Sequence, residues 1–358
     1  MAKIDGFCDE RFVAVREALS SSLDSGADVG ASVAVYLEGE PVVDIWGGDT
    51  HDGRWQRDTI TNVWSISKTM TALCALILAD RGELDFHAPV AKYWPEFAAA
   101  GKSGIEVRHL LGHTSGLSTW TEPMTVADLY DWDKATAMLA AQEPEWEPGT
   151  ASGYHALTHG YLVGEVVRRI TGRTLGTFFR EEIAGPMGAD FHIGLPPEHD
   201  HRVANVIPHE STPARINPPL TADATWTEEW RRAEIPAAGG FGNARSVAQI
   251  QTVLAAGGGP LLSAAGCERV LEQQSDGIDR FLRMDLRFGL GYALPSKGLP
   301  LPNPDSCAWG GWGGSVIVVD LSSHMTIAYV MNRMTGNLRV DARGAGIVLA
   351  AYTSLAGR

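Results

Sequence analysis

The sequence predicts an α+β protein in which an antiparallel sheet flanked by helices is combined with a helical domain. Two pairs of strands point to the sheet. Residues 31–48 are rich in β-branched side chains on both sides of a turn at residues 38–41, and residues 313–334 repeat this pattern around residues 320–324. Because helical periodicity dominates between the two pairs, we expect both ends of the chain to build one sheet.

The first long helix signal follows Ser65, and Gly82 predicts its end. The apolar side chains between them recur at helical spacing in one stripe: Met70, Leu73, Cys74, Ile77 and Leu78. We therefore expect a helix with a single buried face and with Ser65 at its start.

Two further helices are predicted in the middle of the chain, ending at Gly172 and Gly257, and a last one at residues 345–355. Residues 206–242 are rich in proline and tryptophan and predict a long ordered loop over a cleft. We expect residues 1–80 and 281–358 to form an α/β sandwich domain, and residues 81–280 a mainly helical domain. The active site is expected between them.

Composition and charge limit the class of partner. The chain has 358 residues, 44% hydrophobic and 20% charged, with a formal net charge of −14. An acidic surface disfavours nucleic acid and anionic membranes, so we expect a small, neutral or weakly charged substrate. The acidic N-terminal segment and the lack of a long apolar run predict a cytoplasmic protein without a membrane partner. The four widely spaced cysteines are expected to be reduced thiols. The sequence is compatible with a homo-oligomer.

Ser65 and Lys68 form the first candidate catalytic pair. Three residues are nearly one helical turn, so the amine can reach the hydroxyl. The helix N-terminus stabilises an alkoxide, and burial would lower the affinity of the amine for a proton. The alternative is that Ser65 only caps the helix and Lys68 lies in solvent, and the pair alone does not decide between them.

Three later segments accompany this pair in a fixed order. They are "VRHLLGHTSGLSTW" at 107–120, "PGTASGYHALTHGYLVGEVV" at 148–167, and "WGGWGGS" at 309–315. With these motifs the chain resembles the serine β-lactamase and penicillin-binding-protein superfamily, and within it the family VIII carboxylesterases. The resemblance covers nearly the whole chain and implies a β-lactamase/transpeptidase-like fold.

The resemblance also implies roles for individual residues. Ser65 would be the acylated nucleophile, Lys68 its proton acceptor, and Tyr154 the group that relays the proton to the leaving group. The backbone N–H groups of Ser65 and Trp312 would form the oxyanion hole. No metal or organic cofactor is required.

Two departures from the β-lactamase pattern predict the substrate class. Ala156 stands where those enzymes carry an asparagine, and Trp309 stands in place of the lysine that meets a substrate carboxylate. Both changes favour short, uncharged esters over penicillins. Other residues are placed around the substrate by their position near the motifs: Gly310, Gly311, Trp120, Trp226, Trp230 and His155.

Other features of the sequence offer alternatives to this interpretation. The pairs His109/His113 and His155/His159 have the i, i+4 spacing of zinc ligands, but neither encloses a glutamate, so we predict no metal site. Ser115 is predicted to be a turn residue, and a Gly-x-Ser-x-Gly nucleophile motif is absent from the sequence. The runner-up functions are a β-lactamase, a D-amino-acid peptidase or a small-amide hydrolase. A non-catalytic binding protein would have no chemical reason to keep the catalytic set.

Overall fold

A computed structural model describes residues 2–209, 216–336 and 341–356. Within these ranges the strands are β1 Ile4–Cys8, β2 Gly30–Leu37, β3 Glu40–Gly48, β4 Thr61–Asn62, β5 His192–Ile193, β6 Gly240–Gly242, β7 Ser275–Ile278, β8 Asp285–Phe288, β9 Ala293–Leu294, β10 Ser306–Gly310, β11 Val316–Asp320 and β12 Met325–Met331. The α-helices are α1 Val13–Asp24, α2 Ser67–Asp80, α3 Val107–Leu111, α4 Trp132–Ala141, α5 Thr158–Thr171, α6 Leu175–Phe179, α7 Gly185–Met187, α8 Glu228–Arg232, α9 Ala244–Ala255, α10 Ala264–Glu268 and α11 Ala342–Ala356.

The two ends of the chain share one antiparallel sheet, as the sequence predicts. In the described residues it has nine strands in the order β1-β3-β2-β12-β11-β10-β9-β8-β7. The ends meet at its centre, where β2 pairs with β12 and Val33 lies opposite Tyr329. The α+β class and both predicted strand pairs are therefore confirmed.

Side chains on the central strands alternate between two apolar layers. Val318 and Ile327 face a layer that includes α1 and α11, whereas Ile317 and Ala328 face the main core on the other side. The sheet is thus covered on both faces, and the main core continues into the helices of the middle of the chain.

Helix α2 lies at the centre of the main core. The sequence predicts a single apolar stripe, but every residue from Ser67 to Leu78 is buried. Helices α5, α6 and α10 pack around it. Small side chains such as Ala72 and Ala75 occupy the faces between the stripe residues and allow this close packing. The surrounding core therefore fixes the orientation of α2 on all sides.

A small sheet connects the start of α2 to the middle of the chain. Strands β4 and β5 pair with β6 in the order β4-β6-β5. The amide of Val63 donates to the carbonyl of Gly240 at 2.9 Å, and the amide of Gly240 donates to the hydroxyl of Ser67 at 2.8 Å. This sheet holds the segment that carries Ser65.

The domain boundaries stay a prediction, and two elements bear on them. Strand β7 and helix α9 both lie within residues 81–280, yet β7 belongs to the large sheet and α9 packs against β2 and β12. The described part of residues 206–242 contains short helical turns at Ala222–Trp226 and Glu228–Arg232 as well as β6. Residues 210–215 of this predicted loop lie outside the described residues.

Two features of the described residues concern the environment of the protein. All four cysteines are free thiols, and Cys74, Cys267 and Cys307 are buried. No helix in the described ranges is both long and apolar enough to cross a bilayer.

Candidate active site

Ser65 lies in a tight turn that leads directly into α2. The turn is the 3₁₀ segment Trp64–Ile66, and Trp64 adopts a positive φ of 50°. A non-glycine residue in this region is strained and must be held by its surroundings. The hydroxyl of Ser67 donates to the carbonyl of Trp64 at 2.6 Å, and the side chain of Asn62 accepts from the amide of Trp64 at 3.2 Å. These bonds hold the turn and leave the Ser65 side chain half-buried at its apex.

The structure brings Ser65, Lys68 and Tyr154 together. The amine Nζ of Lys68 is 3.1 Å from Oγ of Ser65, and the hydroxyl of Tyr154 donates to the same Oγ at 2.5 Å. Nζ of Lys68 also lies 4.7 Å from the centre of the Tyr154 ring. The Ser65 hydroxyl is therefore in contact with two groups that can exchange protons with it.

Lys68 is completely buried, and backbone carbonyls hold its amine. Its amine donates to the carbonyl oxygens of Ala156 at 2.7 Å and Ala237 at 2.9 Å. Burial holds the pKa of Lys68 well below its usual value. In its neutral form the amine uses its two N–H bonds for the two carbonyls and turns its lone pair toward Ser65, as a general base requires.

The pKa of Tyr154 is shifted in the opposite direction from that of Lys68. Burial raises the pKa of its hydroxyl above the usual range, and the hydroxyl of Ser65 and the indole of Trp309 offset part of this rise. The Trp309 ring lies 5.7 Å from the Tyr154 ring. Tyr154 is therefore a neutral donor at physiological pH.

The end of strand β10 closes one side of the site. Gly311 lies close to the turn at Trp64–Ile66, here called the nucleophile turn after the predicted role of Ser65. An added Cβ at Gly311 would stand 2.4 Å from the carbonyl oxygen of Val63. The Trp312 ring is 4.8 Å from the Trp64 ring. The flanking turn bonds use the amides of Gly311 and Gly314, and none of the bonds in the described residues uses the amide of Trp312. Its role in an oxyanion hole stays a prediction.

The other predicted pocket residues lie at different depths. The ring of Trp230 is fully buried and packs 5.8 Å from that of Trp64. The exposed Trp226 donates its indole N–H to the carbonyl of Val206. The structure does not bring Trp120 to Ser65, because its indole N–H donates to the carbonyl of Ala135 inside the helical core.

The side chain of His155 is also not accessible from the protein surface. It is fully buried, and its ring nitrogens contact Ser115 and Gly153. His113 and His159 are buried beside it, with ring centres 5.1 Å apart. In the described residues, no group of three or more potential ligand side chains could hold a metal ion.

Some contacting groups were missed by sequence reasoning. The carboxylate of Asp279 accepts from the amide of Tyr154 at 3.2 Å, and the Phe281 ring lies 5.9 Å from the Tyr154 ring. The carbonyl of Ala237 is a third example. These groups carry no local motif, because the fold brings them from distant parts of the chain.

Comparison with known proteins places this site in a family. The family model described as Beta-lactamase matches residues 15–352. The chain belongs to the beta-lactamase family.

Similar members of this family include esterases and penicillin-binding-protein homologues. "Esterase/beta-lactamase LipL" of Mycobacterium tuberculosis is 33% identical over 94% of this chain and 84% of its own length. The crystal structure of a family VIII carboxylesterase is 41% identical, with a TM-score of 0.93 over 98% of this chain and 100% of its own. A penicillin-binding-protein homologue from Caulobacter crescentus is 37% identical, with a TM-score of 0.91 over 98% and 100%. The predicted β-lactamase/transpeptidase-like fold is therefore confirmed.

Proposed function

We propose that the protein is a serine carboxylesterase that hydrolyses short, uncharged esters through an acyl-enzyme on Ser65. The observation that carries the proposal is the contact of Ser65 Oγ with a buried lysine at 3.1 Å and a buried tyrosine at 2.5 Å. The similarity to a family VIII carboxylesterase and to an esterase/β-lactamase supports ester hydrolysis.

Acylation uses the two neutral groups in turn. Ser65 transfers its proton to the lone pair of Lys68 while Oγ attacks the ester carbonyl carbon. The backbone N–H groups of Ser65 and Trp312 stabilise the oxyanion. When the tetrahedral intermediate collapses, the C–O bond to the alcohol breaks and Tyr154 gives its proton to the leaving oxygen. The proton held by Lys68 then returns to the tyrosinate, so both groups are neutral again.

Deacylation repeats these steps with water. Water attacks the acyl carbonyl as Lys68 takes its proton. The bond between the acyl carbon and Oγ then breaks, Tyr154 gives its proton to Oγ, and the proton held by Lys68 returns to the tyrosinate. The products are a carboxylic acid and the regenerated serine. No step of this sequence requires a metal or an organic cofactor.

The walls of the site support uncharged substrates. Ala156 offers a methyl group, and Trp309 offers an indole where β-lactamases have a cation. A narrow cleft beside Ala156 is bordered by apolar side chains of Leu157, Ile216 and Phe281 and by uncharged polar residues, among them Ser118 and Asn217. A substrate carboxylate would find no cation among these groups, so binding of a penicillin transition state loses its polar partners.

The test compares two acyl donors on one enzyme preparation. We expect kcat/KM for phenyl butyrate to exceed that for a chromogenic cephalosporin, and a ratio near or below one would favour a β-lactamase. A fluorophosphonate probe should label Ser65 once per chain, with Ser65→Ala as the unlabelled control. Peptide mapping of the adduct to Ser67 or Ser115 would contradict the assignment of the nucleophile. Cytoplasmic localisation and the oligomeric state stay predictions.

A further inference from the structure

A buried segment at residues 113–115 lies directly behind Tyr154 and has no part in the steps above. His113 and Ser115 are fully buried. The His113 ring lies 5.2 Å from the Tyr154 ring in an edge arrangement, and 5.4 Å from the Trp309 ring in a stacked one. His113 has a φ of 59°, a strained value for a residue with a side chain. The surrounding contacts must therefore outweigh this strain.

His113 binds the backbone on both sides of Tyr154. Its carbonyl accepts from the amide of Gly153 at 3.0 Å, and its ring nitrogen Nδ1 accepts from the amide of His155 at 3.1 Å. The amide of Tyr154 itself donates to Asp279 at 3.2 Å. Three consecutive amides are therefore fixed by partners from elsewhere in the chain.

Ser115 completes the support through the His155 ring. Nδ1 of His155 is 2.6 Å from the carbonyl oxygen of Gly153, and Nε2 is 2.6 Å from Oγ of Ser115. A carbonyl can only accept, so Nδ1 carries the proton and Nε2 accepts from the Ser115 hydroxyl. The ring thus bridges the residue before Tyr154 to the segment behind it.

The bond to the His155 amide requires Nδ1 of His113 to be unprotonated, because a proton there would face the amide N–H. A protonated His155 would reverse its bond to Ser115, with Nε2 donating to Oγ. Burial holds the pKa of His113 well below its usual value and lowers that of His155 to about 4. A charged Lys68 would lower the pKa of both rings further, and His159 and His155 lower that of His113.

We infer that His113 and Ser115 are positioning residues for Tyr154 in the acyl transfer. They hold the backbone at residues 153–155 so that the tyrosine hydroxyl stays at Oγ of Ser65. Neither side chain is exposed to a substrate. The inference rests on the proposed function, because it assigns their effect to the proton that Tyr154 gives to the leaving group. A shift of about 1 Å in such a group can cost about 10²-fold in rate.

The first experiment separates the position of the acceptor from the bulk of the ring. In His113→Asn the amide oxygen can occupy the place of Nδ1, whereas in His113→Gln it lies further out. We expect kcat/KM for ethyl butyrate to fall about 10²-fold in His113→Gln, with a smaller loss for phenyl butyrate, whose leaving group needs little protonation. His113→Asn should restore the ratio of the two esters toward that of the wild type.

The second experiment uses the neighbouring residue as a matched control. Ser115→Ala removes the bond to His155 and should lower kcat/KM for ethyl butyrate more than for phenyl butyrate. Thr114→Val is its control, because the Thr114 hydroxyl is buried without a partner in the described residues. This variant should keep the wild-type ratio. All rates are divided by the fraction of chains that a fluorophosphonate labels. Unfolded chains of a variant therefore do not change the ratio of kcat/KM for the two esters.

Tyr154→Phe distinguishes failure of this inference from failure of the proposed function. If Tyr154→Phe lowers kcat/KM for the two esters by the same factor, the role of Tyr154 in the proposed function is wrong. If Tyr154→Phe separates the two esters but Ser115→Ala and His113→Gln keep the wild-type ratio, the positioning role is wrong. Should His113→Gln fail to fold, Ser115→Ala alone decides.

Discussion

Adding one methyl group at the end of β10 should displace the nucleophile turn. In Gly311→Ala the new Cβ would stand 2.4 Å from the carbonyl oxygen of Val63, directly before the turn at Trp64–Ile66. An ordinary contact requires the two groups to separate by about 1 Å. Overpacking of this kind costs about 1–3 kcal/mol of unfolding free energy. A displacement of about 1 Å at the reacting atoms lowers kcat/KM by about 10²-fold.

Gly310→Ala is the matched control for this change. Its Cβ would meet nothing closer than 3.7 Å, so the free energy of unfolding should stay within about 0.5 kcal/mol of the wild type. Urea unfolding gives the stability of both variants, and initial rates with phenyl butyrate give kcat/KM. If Gly311→Ala matched the wild type in both measurements, the close approach of β10 to the nucleophile turn would not constrain the site.

Three further predictions concern the buried ionisable groups. Lys68→Ala and Tyr154→Phe should each lower kcat by about 10²- to 10⁴-fold with unchanged circular dichroism, and near wild-type turnover would remove that residue from the mechanism. Because burial lowers the pKa of Lys68 and raises that of Tyr154, kcat/KM should fall as pH drops through the lowered lysine pKa and stay level into mildly alkaline solution; a continued rise toward the usual lysine value of 10.5 would contradict this. His155 has a pKa lowered from 6.5 to about 4, which corresponds to about 3 kcal/mol of stability present above pH 6.5 and lost as pH falls toward the lower value. Urea unfolding between pH 7 and pH 4 measures this loss together with those of His113 and His159, whose pKa values burial also lowers, and a constant free energy of unfolding over that interval would refute it.

The sequence predicts those parts of the fold that depend on local residue patterns. The strand pair at residues 31–48 follows from β-branched content, and the structure has it. Helical spacing predicts the helix after Ser65, but α2 begins at Ser67 and Ser65 lies in the 3₁₀ turn before it. Strand β7 was not predicted, because "SDGI" contains glycine and lacks an apolar alternation. It exists because β8 supplies its hydrogen-bond partner. Pairing of this kind depends on a neighbour that local propensity does not reveal.

Some residues of the candidate site could likewise be predicted from local patterns, and others could not. Spacing within one helical turn placed Lys68 at Ser65, and the resemblance to a known family pointed to Tyr154. The same reasoning could not separate Trp120, which packs inside the helical core, from Trp309, which lies beside Tyr154. Both are tryptophans close to a motif, and only the packing of distant segments decides which side each ring faces. The contacts of His113 with Gly153 and His155 were hidden for the same reason.

The pairing of β2 with β12 has a consequence for biosynthesis. During translation the segment with Ser65 and Lys68 leaves the ribosome long before β10, β11 and β12 are made. Until those strands arrive, β2 lacks its central partner and the nucleophile turn lacks the Trp312 ring that packs on Trp64. Such distant pairing is slow to form, and an unpaired strand edge invites association with other chains. In a nascent chain the turn with Ser65 therefore lacks these contacts until the last strands are in place.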